Sequence, residues 1–240
     1  MYLLAANPIL SFAAIIPVVV LLIRVYKSDR FEKEPVGMLV SLVILGAIST
    51  AIAVVLETIG SAVLGAVFTE ESVIYNFFMY FLVVAVSEEG SKYALLKVRT
   101  WNSPHFNCRF DGVVYAVFVS LGFALWENIG YVSAYGLSVA VMRALTAVPG
   151  HACFGVFMGA WYGLARACTN SGNLRLAKQA KKMSLLIPIL LHGTYDFITT
   201  FKSWLFTLIF IAFVVLMYIF AVSKVKVLSK NDYFIQNTEY

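Results

Sequence analysis

The chain has 240 residues, 61% of them hydrophobic and only 13% charged, with a formal net charge of +5. A soluble domain is about 45–50% apolar and about 25% charged, so these proportions exclude a soluble enzyme and indicate an integral membrane protein. The positive balance does not mark a nucleic-acid binder, because the basic residues sit in short loops between apolar runs, where they orient a membrane protein.

Seven apolar runs, each near the 20 residues that about 30 Å of hydrocarbon requires, predict spanning helices over 2–23, 36–59, 73–97, 112–132, 138–166, 183–201 and 204–222. The expected fold is all-α: a polytopic transmembrane bundle forming a single membrane-embedded domain over 1–240. The first run has no basic segment before it and Arg24, Lys27, Arg30 and Lys33 after it, so it reads as a retained anchor rather than a cleaved signal. The second run ends near Glu57, an outer-interface position with no assigned role, and Gly60–Phe68 either extends it or forms an interfacial turn.

The third run contains Ser87-Glu88-Glu89-Gly90-Ser91-Lys92. Each charge there costs roughly 2.5–3.5 kcal/mol at a helix centre, so these side chains must face a polar interior with partners. Glu88 and Lys92 are i,i+4 and share a face; Glu89 points about 100° away and reaches Lys92 at i+3. The fourth run carries Glu127, with Asn128 as a spare polar donor, and the fifth carries Arg143, Pro149 and His151. Gly155, Gly159 and Gly163 on the fifth form a stripe of small residues suited to close helix packing. The sixth run carries Pro188, with His192 and Asp196 at i,i+4. Pro149 frees the carbonyl of Leu145 and Pro188 that of Ser184, and a freed carbonyl at membrane depth needs a partner.

Of the 18 lysines and arginines, 15 fall after the first, third, fifth and seventh runs. The positive-inside rule makes that side cytoplasmic, with the N-terminus outside and the C-terminus inside. Cys108, Cys153 and Cys168 are too few and too irregular for a disulfide framework.

At 1.5 Å per residue, Glu88 and His192 lie about 13 Å from the cytoplasmic side, Asp196 and His151 about 20 Å, and Glu127 about 22 Å. Polar residues on four helices thus converge on the middle of the bilayer. Glu88, Glu89, Glu127 and Asp196 against Lys92 and Arg143 leave a formal charge of −2. Protons or a divalent cation must balance it, and either suits acid–base chemistry. Two imidazoles and several carboxylates also make a zinc donor set, drawn from Glu88, Glu127, His151, His192 and Asp196. The HExxH helix of conventional zinc proteases is absent.

Three motifs in order, Glu88-Glu89-Gly-Ser-Lys92, Phe123-Ala-Leu-Trp-Glu127-Asn128 and His192-Gly-Thr-Tyr-Asp196, resemble those of the PrsW family of bacterial intramembrane proteases. That family stands within a superfamily that includes the CAAX prenyl proteases. Around the motifs stand Glu32-Lys33-Glu34-Pro35, Asp111-Gly112-Val113-Val114-Tyr115, and Arg143 followed by Pro149-Gly150-His151. The resemblance implies a multi-pass protein of the bacterial plasma membrane that cuts a single-pass membrane substrate. That substrate would be an anti-sigma factor, taking its first cut in envelope-stress signalling. It further implies that Glu88, from the Glu88–Glu89 pair, and Glu127 activate water, while His192 and Asp196 handle the oxyanion or ligate a metal. Lys92, Asn128, Arg143 and His151 support them. Glu127 stands where the prenyl proteases have histidine, and His151 is placed to supply the missing imidazole. Asp196 stands where they have asparagine; a bare carboxylate would repel an oxyanion, so Asp196 must be protonated, paired or metal-bound. A proton- or cation-coupled transporter also uses buried carboxylates and histidines, but no related halves are found in the chain. A non-catalytic scaffold is the third class, and it would tolerate Gln at position 88.

Overall fold

The computed structural model describes residues 8–70 and 72–235, so residues 2–7 of the first expected span lie outside the described residues. Eight helices follow one another: α1 (Pro8–Ser28), α2 (Val36–Gly65), α3 (Val73–Thr100), α4 (Asp111–Tyr135), α5 (Leu137–Leu145), α6 (Ala147–Asn170), α7 (Leu174–Thr199) and α8 (Trp204–Lys230). Counting α5 and α6 as one rod, seven helical rods follow in the expected order. Six are long and apolar enough to span a membrane by length and composition. The exception is α7, whose apolar stretch is interrupted by His192, Thr194, Tyr195 and Asp196. The rods alternate in direction, so the basic loops gather at one end of the bundle.

The structure departs from the sequence reading at several points: α7 already begins at Leu174 and α8 runs on to Lys230. α2 runs on to Gly65, which settles Gly60–Phe68 largely as helix. The expected helix over 138–166 is broken at Thr146, where φ −122° and ψ −72° are not helical. Pro149 therefore sits in the first turn of α6, where a missing N–H costs nothing. The carbonyls of Leu145 and Thr146 each accept from the Tyr218 hydroxyl at 2.9 Å, so a tyrosine on α8 meets the exposed backbone of the break. Within α3, Met79–Val84 is a π-helical stretch, an irregularity common beside functional sites.

α4 is the central helix: every residue from Asp111 to Ala124 is buried. Glycines let its neighbours reach its backbone. A Cβ on Gly159 of α6 would stand 2.3 Å from the Gly112 carbonyl, and one on Gly122 would stand 2.2 Å from the Val43 carbonyl on α2. The stripe on α6 is thus a packing device, and α4 is clasped between α2 and α6. That clasp holds the polar residues of α3, α4, α6 and α7 around one space.

Candidate active site

A cavity of about 430 Å³ lies among α2, α3, α4, α5, α6 and α7. Glu88, Glu127, Arg143, His151, His192 and Asp196 all line it, so six of the expected site residues meet there. Glu89, Lys92 and Asn128 stand behind this wall. Sequence reasoning gave no role to Glu57, which lines the cavity, and missed Tyr80, Tyr131 and Tyr195, which line it too. The signal for Glu57 was available: with α2 continuing to Gly65, Glu57 lies two turns inside the helix end.

Lys92 is the hub behind the wall. Wholly buried, its ammonium donates to Glu88 Oε2 at 3.0 Å and to Glu89 Oε1 at 2.8 Å. It lies 3.2 Å from His151 Nδ1 and 3.8 Å from the centre of the Phe123 ring. Both i+3 and i+4 reaches expected along α3 are therefore made, and the ring face adds a cation–π contact. An ammonium can only donate, so His151 Nδ1 accepts and Nε2 carries the ring proton, an assignment made from the partners. Nε2 then donates to Glu127 Oε2 at 2.9 Å.

Glu127 also takes Arg143 Nη2 at 2.7 Å. Arg143 lies over the Tyr131 ring, 4.2 Å from its centroid, and its Nε donates to Asn128 Oδ1 at 3.0 Å. Asn128 spends its amide on the Ala14 carbonyl of α1 at 2.8 Å. It is not a spare donor; it fixes Arg143 and ties the first helix to the site. The arginine covers the Glu127 carboxylate rather than leaving it for the membrane surface.

On α7, His192 lies flat against Phe154, with ring centroids 4.8 Å apart. Its Nδ1 is 3.0 Å from Glu89 Oε1 and 3.8 Å from Glu88 Oε2, while Nε2 is 3.2 Å from Asp196 Oδ2. A neutral ring donates to one carboxylate and an imidazolium to both. Asp196 is thereby paired, one of the conditions the sequence set for it. Glu89 is wholly buried, and its Oε2 has no hydrogen-bond partner. It acts on His192 and Lys92 and not on the cavity. One chain of contacts runs Arg143, Glu127, His151, Lys92, Glu89, His192, Asp196, with Glu88 joined at Lys92.

Glu88, Glu89 and His151 bring donor atoms within 4.8 Å of one another, a possible metal-binding group. Its centre is already claimed: the Lys92 ammonium lies within 3.2 Å of all three residues. Both nitrogens of His151 and both of His192 have partners. A divalent ion in this group would meet an ammonium at van der Waals range, so the residues as arranged do not fit one.

A family model described as PrsW family intramembrane metalloprotease matches residues 34–223. The chain is 34% identical over 221 residues to Protease PrsW of Bacillus subtilis, covering 89% of this chain and 93% of that protein. To Protease PrsW of Oceanobacillus iheyensis it is 34% identical over 220 residues, covering 91% and 95%. To that of Clostridioides difficile it is 30% identical over 212 residues, covering 86% of each. No solved structure matches.

Proposed function

The chain belongs to the PrsW family of intramembrane metalloproteases, a multi-pass membrane protein of bacterial type, and from that premise we propose that it cuts a single-pass membrane protein by glutamate-activated water. The observation that carries the reading is Glu88 facing the cavity with its orientation fixed by a buried lysine, opposite the Glu127–His151 pair. Water between them bonds through its oxygen to the scissile carbonyl carbon as Glu88 accepts the proton. The carbonyl oxygen becomes an oxyanion in the part of the cavity that His192 and Arg143 line, where the guanidinium offsets its charge. Collapse breaks the C–N bond, and the proton held by Glu88 passes to the leaving nitrogen. Asp196 keeps the His192 ring turned, and its pairing removes the free carboxylate that an oxyanion would meet.

The reading uses no zinc, because the Lys92 ammonium lies within 3.2 Å of Glu88, Glu89 and His151, the group whose donors stand close enough together for a metal. The anti-sigma-factor class of substrate and the envelope-stress role rest on the family resemblance of the three motifs. The choice of the basic-loop end as cytoplasmic rests on the charge distribution.

The test co-expresses the chain with a tagged single-pass substrate and follows its cleavage. Glu88→Gln and Glu127→Gln should each abolish cutting while protein level and membrane insertion stay normal. Wild-type cutting by Glu88→Gln would make the protein a scaffold, and full dependence on added zinc would overturn the metal-free mechanism.

A further inference from the structure

A second buried polar cluster lies at the other end of α4, where the loops carry the basic residues. Asp111 opens α4 and Glu127 lies 16 residues further along it, about 24 Å away. Three other segments meet Asp111 there: the α1–α2 loop with Asp29 and Glu34, the α3–α4 loop with Cys108, and the residues after α8 with Asp232. Glu34 and Asp111 belong to the motifs Glu32-Lys33-Glu34-Pro35 and Asp111-Gly112, which the cavity does not use.

Donor atoms of Cys108, Asp111 and Asp232 all lie within 4.8 Å of one another. Asp111 is wholly buried; its Oδ2 takes the N–H groups of Asn107 at 3.1 Å and Cys108 at 2.7 Å. Its Oδ1 is buried with no hydrogen-bond partner. Asp232 repeats the pattern: Oδ1 takes the Phe110 N–H at 2.9 Å, and Oδ2 is buried without one. Asp29 is 1% exposed, and neither of its carboxylate oxygens has a hydrogen-bond partner. Glu34 accepts from the Tyr115 hydroxyl at 2.5 Å. The lysine in this corner, Lys33, turns its ammonium to the backbone carbonyls of Tyr26 and Asp29 instead.

Buried carboxylate oxygens without donors are expensive. Arg109 near Asp232 and Lys33 near Asp29 offset part of the charge, but neither is bonded to the orphaned oxygens, and a cation seated on those oxygens is what the set lacks. We propose that Asp111, Asp232 and Cys108, with Asp29 and Glu34 around them, form a site for one divalent cation of the hard, oxygen-seeking class such as Mg²⁺ or Mn²⁺. Oxygen donors outnumber the single sulfur, which sets the class. The ion would clamp the C-terminal segment to the body. That segment already crosses the α3–α4 loop: the Ile235 N–H donates to the Asn107 carbonyl at 2.6 Å, and Arg109 N–H to the Tyr233 carbonyl at 3.3 Å. Phe234 packs its ring on Phe31 with centroids 4.8 Å apart, so the α1–α2 loop is held as well. The site is independent of the proteolytic centre and stands whether or not the chain cuts a substrate.

The probe is Mn²⁺ titrated into the purified chain in detergent, read by electron paramagnetic resonance, with amide hydrogen exchange over 105–111 and 231–235. The expected result is one Mn²⁺ per chain in wild type and in Glu88→Gln alike, with exchange at Arg109 and Ile235 slowed by the ion. Asp232→Asn, at a half-buried position, and Asp111→Asn should each weaken binding at least about tenfold. No binding at about 1 mM Mn²⁺ would overturn the proposal. So would binding that Asp232→Asn leaves intact, and loss of the ion in Glu88→Gln would assign it to the cavity instead.

Discussion

Replacing Lys92 by Met isolates the residue on which the candidate site turns. Methionine keeps the length and apolar stem of lysine but removes the ammonium. The structure puts that ammonium 2.8 Å from Glu89 and 3.0 Å from Glu88, with no exposure to solvent. Removing one partner of a buried ion pair costs about 3–5 kcal/mol, and here two carboxylates lose their counter-ion together. Lys92→Met should therefore lower unfolding free energy by about 3–5 kcal/mol in reversible denaturant titration in mixed micelles. The double variant Lys92→Met/Glu89→Gln should recover about 2 kcal/mol or more, since neutralising Glu89 removes the stranded charge. A second readout follows from the Glu88, Glu89 and His151 donors within 4.8 Å of one another. Without the ammonium they are free to ligate, so Lys92→Met dialysed against zinc in Mg²⁺ buffer should retain one extra zinc per chain, lost again with Glu89→Gln. A stability change below about 1 kcal/mol, the size of a surface pair, would refute the account of Lys92 as counter-ion.

Glu57→Gln should reduce cleavage about tenfold, equivalent to about 1.4 kcal/mol of charge interaction across the cavity, with normal protein level; activity within twofold of wild type would leave Glu57 as a mere wall. At the basic-loop end, burial raises Glu34 from 4.5 to about 7 and Asp29 from 3.8 to about 6. Glu34 faces Tyr115, Asp111, Asp29 and Glu32. The folded state thus holds its proton more tightly than the unfolded chain, so the contribution is full below pH 4.5 and lost as pH rises through about 7. In metal-free buffer, the opening free energy of 233–235 from hydrogen exchange, corrected for intrinsic rates, should fall from pH 5 to pH 8. Glu34→Gln should flatten that slope; an unchanged slope would exonerate Glu34. Single cysteines at Lys178 and Lys230 should resist an impermeant thiol reagent in intact cells, and labelling of either would reverse the orientation.

The sequence made the site legible to the extent that its residues were costly where they stood. Glu88, Glu127, His192 and Asp196 each interrupt an apolar run, so their convergence could be inferred before any packing was known. Glu57 interrupts a run as well, but it lay at the assumed end of its helix, where a charge costs little. Only the continuation of α2 to Gly65 moves it inside. Asn128 was read as a donor because amide chemistry is visible in sequence, whereas the Ala14 carbonyl and the Arg143 guanidinium that consume it come from helices elsewhere in the chain. The break at Thr146 was hidden for a related reason. Its carbonyls are tolerated because Tyr218 arrives from α8, a contact between residues more than 70 positions apart. Pattern reveals what each helix must bury, while the choice of partner is made by packing.

The depth of the site follows from the same packing. Along α3 the cavity is lined by Tyr80, Val84 and Glu88, along α2 by Thr50 to Glu57, and along α7 by His192 to Thr199. On each helix these positions run from the level of Glu88 away from the basic loops. Behind Glu88, toward those loops, Lys92 and Leu96 are wholly buried, and Thr100 is sealed by the Tyr162 hydroxyl at 2.8 Å. The cavity is therefore reached from the end opposite the basic residues. Under the orientation proposed from their charge, the cavity would open to the outer side although Glu88 lies in the inner half of its helix. A buried lysine closes the route toward the basic loops, and the same ammonium fixes Glu88; both tasks need a cation that the membrane cannot hydrate.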